Sequence, residues 1–337
     1  MKIKRILQRA YHLGKRIVQE SSVLPMRWRV FGAKVALATF WDGLIPPGKA
    51  ERYIHTIENH VDGVLQPLIQ EYQSQPAAAA QTPEGKIPVW CCWWQGEAQM
   101  PELVKLCHAR LKQVLPGDKA ELHLITLDNY KDYVDIPSHI IEKFERKLVT
   151  MATMSDVLRF ALLEKYGGYW LDATVFFTGE IPEEYFSGQF YCQRMVGNTA
   201  YTRREACRGN WCGFSMAGPK NSPVFRFMCD AFSLWWQQYD TIIDYVLIDY
   251  MLWSGFKTVP AIHDTIDAVP DNNEDIFEMY QVLNQPYSPE LLALLTRRNV
   301  MHKLTYKMDL TKVTPDGRQT LYGFLWDMVE KNVEEEK

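Results

Sequence analysis

The sequence predicts an α/β fold with extra helices at its N-terminus. Three observations carry that prediction. Ile87–Trp94 is a continuous apolar run, and a helical stretch and a second strand-like run at Glu121–Leu127 follow it, the β-α-β start of a parallel sheet. Ser155–Val175 reads as an apolar helix, a Gly167-Gly168 stop and a buried strand. Residues 1–34 and 50–73 carry helical rather than strand periodicity.

The 337 residues leave room for one large or two medium domains. Ser74–Gly85 is rich in Pro and Ala and reads as a linker. It divides a basic helical region over 1–85 from a larger domain over 86–330. In the first region Ile3, Ile6, Leu7, Ala10, Leu13, Ile17 and Val18 recur at helical spacing among basic residues. Residues 1–34 hold nine Lys or Arg against Glu20, a net of +8, so with −4 overall the remainder carries −12. Such a basic amphipathic helix suits an anionic membrane surface. It equally suits a helix packed on the body with a solvated basic face, since both give the same periodicity.

No apolar run approaches the ~20 residues of a membrane span. Phe31–Trp41 is shorter and holds Lys34. The start lacks the apolar core of a signal peptide. A cytoplasmic protein is expected, peripheral at the inner face of the plasma membrane if the helix binds lipid. The acidic remainder offers no second basic patch, which excludes nucleic acid as an expected partner. Seven Cys, an odd count without zinc-ligand spacing, read as free thiols in a reducing compartment.

Met100-Pro101-Glu102 opens the next helix, to about Leu115, with Pro near its first turn. Glu121–Leu127 is the second strand and Asp128-Asn129 its turn. In the Ser155–Val175 segment, Thr153 or Ser155 can N-cap the helix. Asp156 and Arg159 stand at i and i+3 and share a helical face. They read either as an internal ion pair at the helix start or as a pair that grips sugar hydroxyls and phosphate. Asp172 ends the following strand, where ligands of open α/β sheets sit. Alone it reads as a turn residue; with the other two and the double glycine it marks a site.

Residues 190–217 are rich in Gln193, Arg194, Asn198, Tyr201, Arg203, Arg204, Asn210 and Trp211. They read as an irregular region on the acceptor side, or as a solvated loop of the same composition. Ser222–Trp236 and Thr241–Leu252 read as helices, the second with Asp244 and Asp249 five apart.

The run S-D-x-x-R…Y-G-G-x-W-L-D-A-T resembles the capsular polysaccharide synthesis proteins, relatives of retaining glycosyltransferases with a DxD-type sugar-binding region (glycosyltransferase family 32-like). The resemblance runs from about Lys86 to about Phe324. It implies a GT-A-like, Rossmann-related nucleotide-sugar-binding domain. It also implies a nucleotide-sugar donor and transfer, with retention, to a saccharide or lipid-linked saccharide acceptor. Asp156, Arg159 and Asp172 carry over as catalytic residues. Tyr166, Gly167, Gly168 and Thr174 carry over from the same motif as substrate-binding residues. Trp93, ahead of Gln95-Gly96, takes the place of an aromatic against the nucleobase, while one of Trp93 and Trp94 is strand core. The stretch D-Y-x-x-x-D-Y adds Asp249. In His302–Lys307, the resemblance sets Lys303 and Lys307 over the diphosphate and His302 on a metal or a phosphate oxygen.

One position departs from the family pattern. The second carboxylate of Asp-x-Asp is Thr174 here, and a hydroxyl is a weaker ligand for Mn²⁺ or Mg²⁺. Asp172 and His302 are the metal candidates that remain. The alternative function is a non-catalytic sugar- or lipid-binding relative acting as a scaffold in polysaccharide assembly. A phosphoryl transferase on the same frame would need more clustered carboxylates than this chain shows.

Overall fold

Two long helices, α1 (Lys2–Leu44) and α2 (Ala50–Ser74), come first in the computed structural model, which describes residues 2–44, 50–74, 81, 85–197 and 205–335. Most of the expected linker over 74–85 lies outside the described residues, as do Asn198, Tyr201, Arg203 and Arg204. α1 extends beyond the basic stretch and is broken at Gly32, whose φ of 85° only glycine adopts without strain. The break turns the chain back, so that Gly43 packs against the side chain of Glu20. Of the expected stripe, Leu13, Ile17 and Val18 are exposed, and the side chains of Ile3, Ile6, Leu7 and Ala10 lie outside the described residues.

α2 buries Ile54, Ile57, Val61, Leu65, Leu68 and Ile69, the 3-4 spacing of one helical face. That face packs on the helices Pro223–Gln238 and Leu247–Thr258. A single hydrophobic cluster runs from Phe31 and Ile57 through Trp235 to Trp90 and Trp170 of the sheet.

The predicted strands form β1 (Ile87–Cys92) and β2 (Ala120–Ile125), joined through helix α3 (Glu102–Val114). Short helices α4 (Tyr130–Tyr133) and α5 (Ser138–Glu145) lead to α6 (Met151–Tyr166), which feeds β3 (Gly168–Asp172) and β4 (Val175–Phe177). β5 (Tyr191–Cys192), β6 (Ser215–Gly218) and β7 (Met301–Lys303) complete the strands. The main sheet has the order β2-β1-β3-β6-β5. β1 runs parallel to both β2 and β3, while β6 and β5 are antiparallel additions. The chain is therefore α/β, as predicted, with a mixed sheet.

Three local outcomes differ from expectation. α6 begins a turn early: Thr150, not Thr153 or Ser155, is the N-cap, and its hydroxyl accepts from the Thr153 amide at 3.2 Å. Ser155 instead donates back to the Met151 carbonyl inside the first turn. The helix expected over Thr241–Leu252 begins only at Leu247. The Asp244 carboxylate accepts the Val246 amide at 3.1 Å, a local turn that competes with helix there. Within 190–217, β5 and β6 were unforeseen, being too short for a clear alternation.

Register positions the site. Cys92 stands opposite both Ile125 and Asp172, so the three parallel strands end side by side. In the separate β4–β7 ribbon, Lys303 stands opposite Val175. This brings a residue from late in the chain beside the end of β3.

Candidate active site

A cavity of about 440 Å³ opens at the carboxyl ends of β1 and β3. Trp93, Trp94 and Gln95 enter it from the loop after β1, Asp156 and Arg159 from α6, and Asp172 and Thr174 from the end of β3. Asp249, in the first turn of the helix Leu247–Thr258, closes the far side with Tyr245.

Four charged side chains form an alternating row. Arg159 Nη1 lies 3.1 Å from Asp156 Oδ1, and its Nη2 lies 3.3 Å from Asp172 Oδ1. Lys303 Nζ lies 2.6 Å from Asp172 Oδ2. Trp170 Nε1 also donates to Asp172 Oδ1, at 3.0 Å. The Arg159 side chain is only 6% exposed, against 22% for Asp156 and 31% for Asp172. Its guanidinium sits 5.1 Å from the Trp170 ring centroid. Gly213 leaves room for it, since a Cβ there would lie 2.9 Å from Nη1. Arg159 thus joins the helix start to the strand end, and the Asp156–Arg159 pair is an ion pair that also lines the cavity.

The carboxyls differ in protonation. Burial works to raise Asp172, but Lys303 and Arg159, with hydrogen bonds from Lys303 and Trp170, hold it well below the usual carboxylate range. Asp156 goes the other way. Burial raises it to about 7, helped by the charges of Asp172 and Asp249 and opposed by Arg159. Burial likewise raises Asp249 to about 7, against a hydrogen bond from Trp211 Nε1 at 2.8 Å. A fixed carboxylate and two that titrate near neutrality therefore share one cavity, an arrangement typical of functional sites.

The two tryptophans divide as expected. Trp94 is buried, and its Nε1 donates to Ser155 Oγ at 2.8 Å, tying the β1 loop to α6. Trp93 lines the cavity half-buried, edge-on to Tyr306 at 5.6 Å between ring centroids. Its Nε1 has no hydrogen-bond partner among the described residues.

The structure gathers Trp93, Gln95, Asp156, Arg159, Asp172, Thr174, Asp249 and Lys303. It leaves the other expected residues outside. Tyr166 donates its hydroxyl to the Tyr133 carbonyl at 2.7 Å, at the far end of α6. Gly167 and Gly168 lie at the start of β3, the end of the strand opposite Asp172. Gly168 is there for a close approach, since a Cβ would meet the Pro88 carbonyl at 2.2 Å. Gly96 turns the loop beside Gln95 with φ 81° but does not line the cavity. Lys307 is exposed and away from it.

His302 is misplaced for the role the resemblance gave it. Adjacent residues of a strand point to opposite faces, so when Lys303 reaches Asp172 its neighbour turns away. His302 is fully buried, lies 3.2 Å from Thr178 Oγ1, and burial lowers its pKa to about 4. Sequence reasoning missed Phe214, over which the Lys303 ammonium rests at 4.8 Å, and Tyr245 and Tyr306 of the cavity wall. Tyr306 fell inside the His302–Lys307 stretch, where the basic residues drew attention from it.

The donor set does not fit a divalent cation. Both oxygens of Asp172 are taken by Arg159, Trp170 and Lys303, and His302 faces elsewhere. Among the described residues, no group of three or more His, Cys, Asp or Glu is placed to hold a metal ion. Nor does any helix among them have the length and apolarity to cross a membrane.

No curated protein matches the chain significantly. The family described as capsular polysaccharide synthesis protein does match, over residues 48–325, beginning earlier than the expected Lys86 and taking in α2. With that match spanning most of its length, the chain belongs to the capsular polysaccharide synthesis protein family.

Proposed function

We propose that this protein is a retaining glycosyltransferase of surface-polysaccharide synthesis, with a GT-A-like donor site. It takes a sugar from a nucleoside-diphosphate sugar to a hydroxyl of a saccharide or lipid-linked saccharide. The observation that carries the reading is the row Asp156–Arg159–Asp172–Lys303 at the strand ends, beside the half-buried Trp93. Two fixed cations in one wall suit a diphosphate. An aromatic face suits a nucleobase, and carboxyls suit sugar hydroxyls.

In this reading the bond from the anomeric carbon to the diphosphate oxygen breaks, and its electron pair leaves on the diphosphate. Lys303 and Arg159 stabilise that charge while keeping their hold on Asp172. The acceptor oxygen bonds to the anomeric carbon and its proton passes to a departing phosphate oxygen. The anionic Asp172 offsets the positive charge developing on the sugar ring. Saturated by two cations and Trp170, it makes a poor nucleophile, which favours assistance by the donor phosphate over a covalent intermediate. Asp156 and Asp249, near neutral protonation, bond sugar hydroxyls as donor or acceptor. Lys303 and Arg159 take the place of a divalent cation, and no step needs one.

Thermal unfolding against a panel of sugar nucleotides tests the donor assignment, because a ligand of the folded state raises Tm by mass action. One nucleotide sugar should raise Tm in the wild-type protein and fail to do so in Arg159→Ala. Equal behaviour of the two proteins would place any binding elsewhere.

A further inference from the structure

The N-terminal helical hairpin is the largest feature that the donor site does not use. It is fixed to the body near the end of its first arm. Arg27 Nη2 donates to Tyr53 Oη at 3.0 Å, and the Tyr53 hydroxyl donates to Asp244 Oδ2 at 2.7 Å. Phe31 packs between His60, Trp235 and Tyr239.

Away from these contacts, apolar side chains on both arms are left uncovered. Leu13, Ile17, Leu24 and Trp28 recur at intervals of 4, 7 and 4 residues, one stripe of a helix. Leu13 is 46% exposed, Ile17 42% and Trp28 50%. On the returning arm, Leu37 and Trp41 stand at i and i+4 and are 41% and 62% exposed. Lys15, Arg29 and Lys34 are exposed on the same two arms. Residues 1–34 carry a net +8 on a chain whose remainder carries −12.

We propose that this hairpin docks the protein on an anionic lipid bilayer, lying in the interface with its apolar stripe and two tryptophans inserted. Charge complementarity selects the occupant. The cationic charge is concentrated on this arm, and a helix with an apolar stripe, exposed Trp and flanking Lys and Arg is what an anionic interface retains. A second copy of the hairpin, Asp42 included, would set a net +7 against +7 and is disfavoured at close range. The arm lies on the bilayer rather than through it, since no described helix can cross one.

The attachment point links the surface to the cavity. Asp244, which holds Tyr53, is followed by Tyr245, a cavity-wall residue that is 73% exposed. The hairpin is thus tied, through Tyr53 and Asp244, to the chain segment that forms the cavity wall at Tyr245. The docking itself does not depend on which ligand the cavity takes.

The test is sedimentation of the full-length protein with vesicles of phosphatidylcholine alone and of phosphatidylcholine mixed with phosphatidylglycerol. The wild-type protein should pellet with the anionic vesicles and be released by added salt. Replacing Lys15, Arg29 and Lys34 together by Gln should weaken binding roughly a hundredfold, at about 1 kcal/mol per lost cation. Leu13→Ser with Ile17→Ser and Trp28→Ser should abolish binding even at low salt. All of these side chains are exposed, and an unchanged Tm confirms that the fold persists. Wild-type protein that stays in solution at low salt overturns the proposal. So does a triple Ser variant that binds as wild type, or a stripe that drives self-association in light scattering with no lipid binding.

Discussion

Lys303 Nζ donates to Asp172 Oδ2 at 2.6 Å, across 131 residues of sequence. The bond joins the β4–β7 ribbon to the end of the main sheet and completes the charged row at the edge of the cavity. With Arg159 it holds Asp172 ionised.

Lys303→Met should leave a folded protein with a lower Tm, because the half-buried Asp172 carboxylate loses one of its two cations. Nucleoside diphosphate release should fall on the order of a hundredfold or more, as for a lost electrostatic stabiliser of a leaving group. Steady-state release with the sugar nucleotide from the thermal panel measures it. A near-wild-type rate would remove Lys303 from the site.

Arg159→Lys should fail almost as badly as Arg159→Ala. The guanidinium contacts Asp156 and Asp172 through separate nitrogens and lies against Trp170, which a point-like ammonium cannot reproduce. The comparison of both variants in the same release assay checks this. Rescue by Lys would show that charge alone is needed.

Much of this row was legible in the sequence, and the reasons are physical. Asp156 and Arg159 share a helix face by spacing alone, and Asp172 sits at the end of a strand without a polar residue. Lys303 is brought in by tertiary pairing, so only the family resemblance pointed to it. The same resemblance could not tell Lys303 from His302, because the face of a two-strand ribbon is set by register. Gly167-Gly168 was read as part of the binding motif, yet a double glycine serves equally to cap a helix and to pass under Pro88. Residues 241–246 carry helical apolar spacing, but Asp244 spends its oxygens on the Val246 amide and the Tyr53 hydroxyl.

Trp93→Ala and Trp94→Ala should separate ligand binding from stability. Loss of a base-stacking face costs about 1–3 kcal/mol, so Trp93→Ala should weaken nucleoside diphosphate binding roughly 5- to 150-fold with little change in Tm. Trp94 is buried and bonded to Ser155, so its truncation should cost about 3–5 kcal/mol of stability. Calorimetric titration and thermal melts distinguish the two; a reversed pattern would exchange their roles.

The contribution of Asp156 and Asp249 to stability should fall with rising pH between about 4 and about 7, opposite in sign to that of the buried His302. Asp156 and Asp249, both raised to about 7 in the folded protein, keep protons there that the unfolded chain has released. The folded state therefore binds more protons in this window, and its advantage disappears as they leave. Asp249→Asn keeps an oxygen for Trp211 and removes one titrating group, so its Tm should decline less than that of the wild type. Parallel melting curves across pH would contradict the assignment.

A chelator should leave donor-induced thermal stabilisation unchanged, since Lys303 and Arg159 already neutralise the site. A loss on chelation that Mn²⁺ restores would show that a cation completes it.

The most direct measurement is nucleoside diphosphate release from the stabilising sugar nucleotide, by wild-type protein and by Asp172→Asn, with both shown to be folded. A glycosyltransferase with Asp172 in its donor site releases steadily as wild type and loses nearly all release in the variant. A sugar nucleotide that binds the wild type without any release, in the presence of saccharide acceptors, would contradict this reading and leave a carbohydrate-binding scaffold in its place.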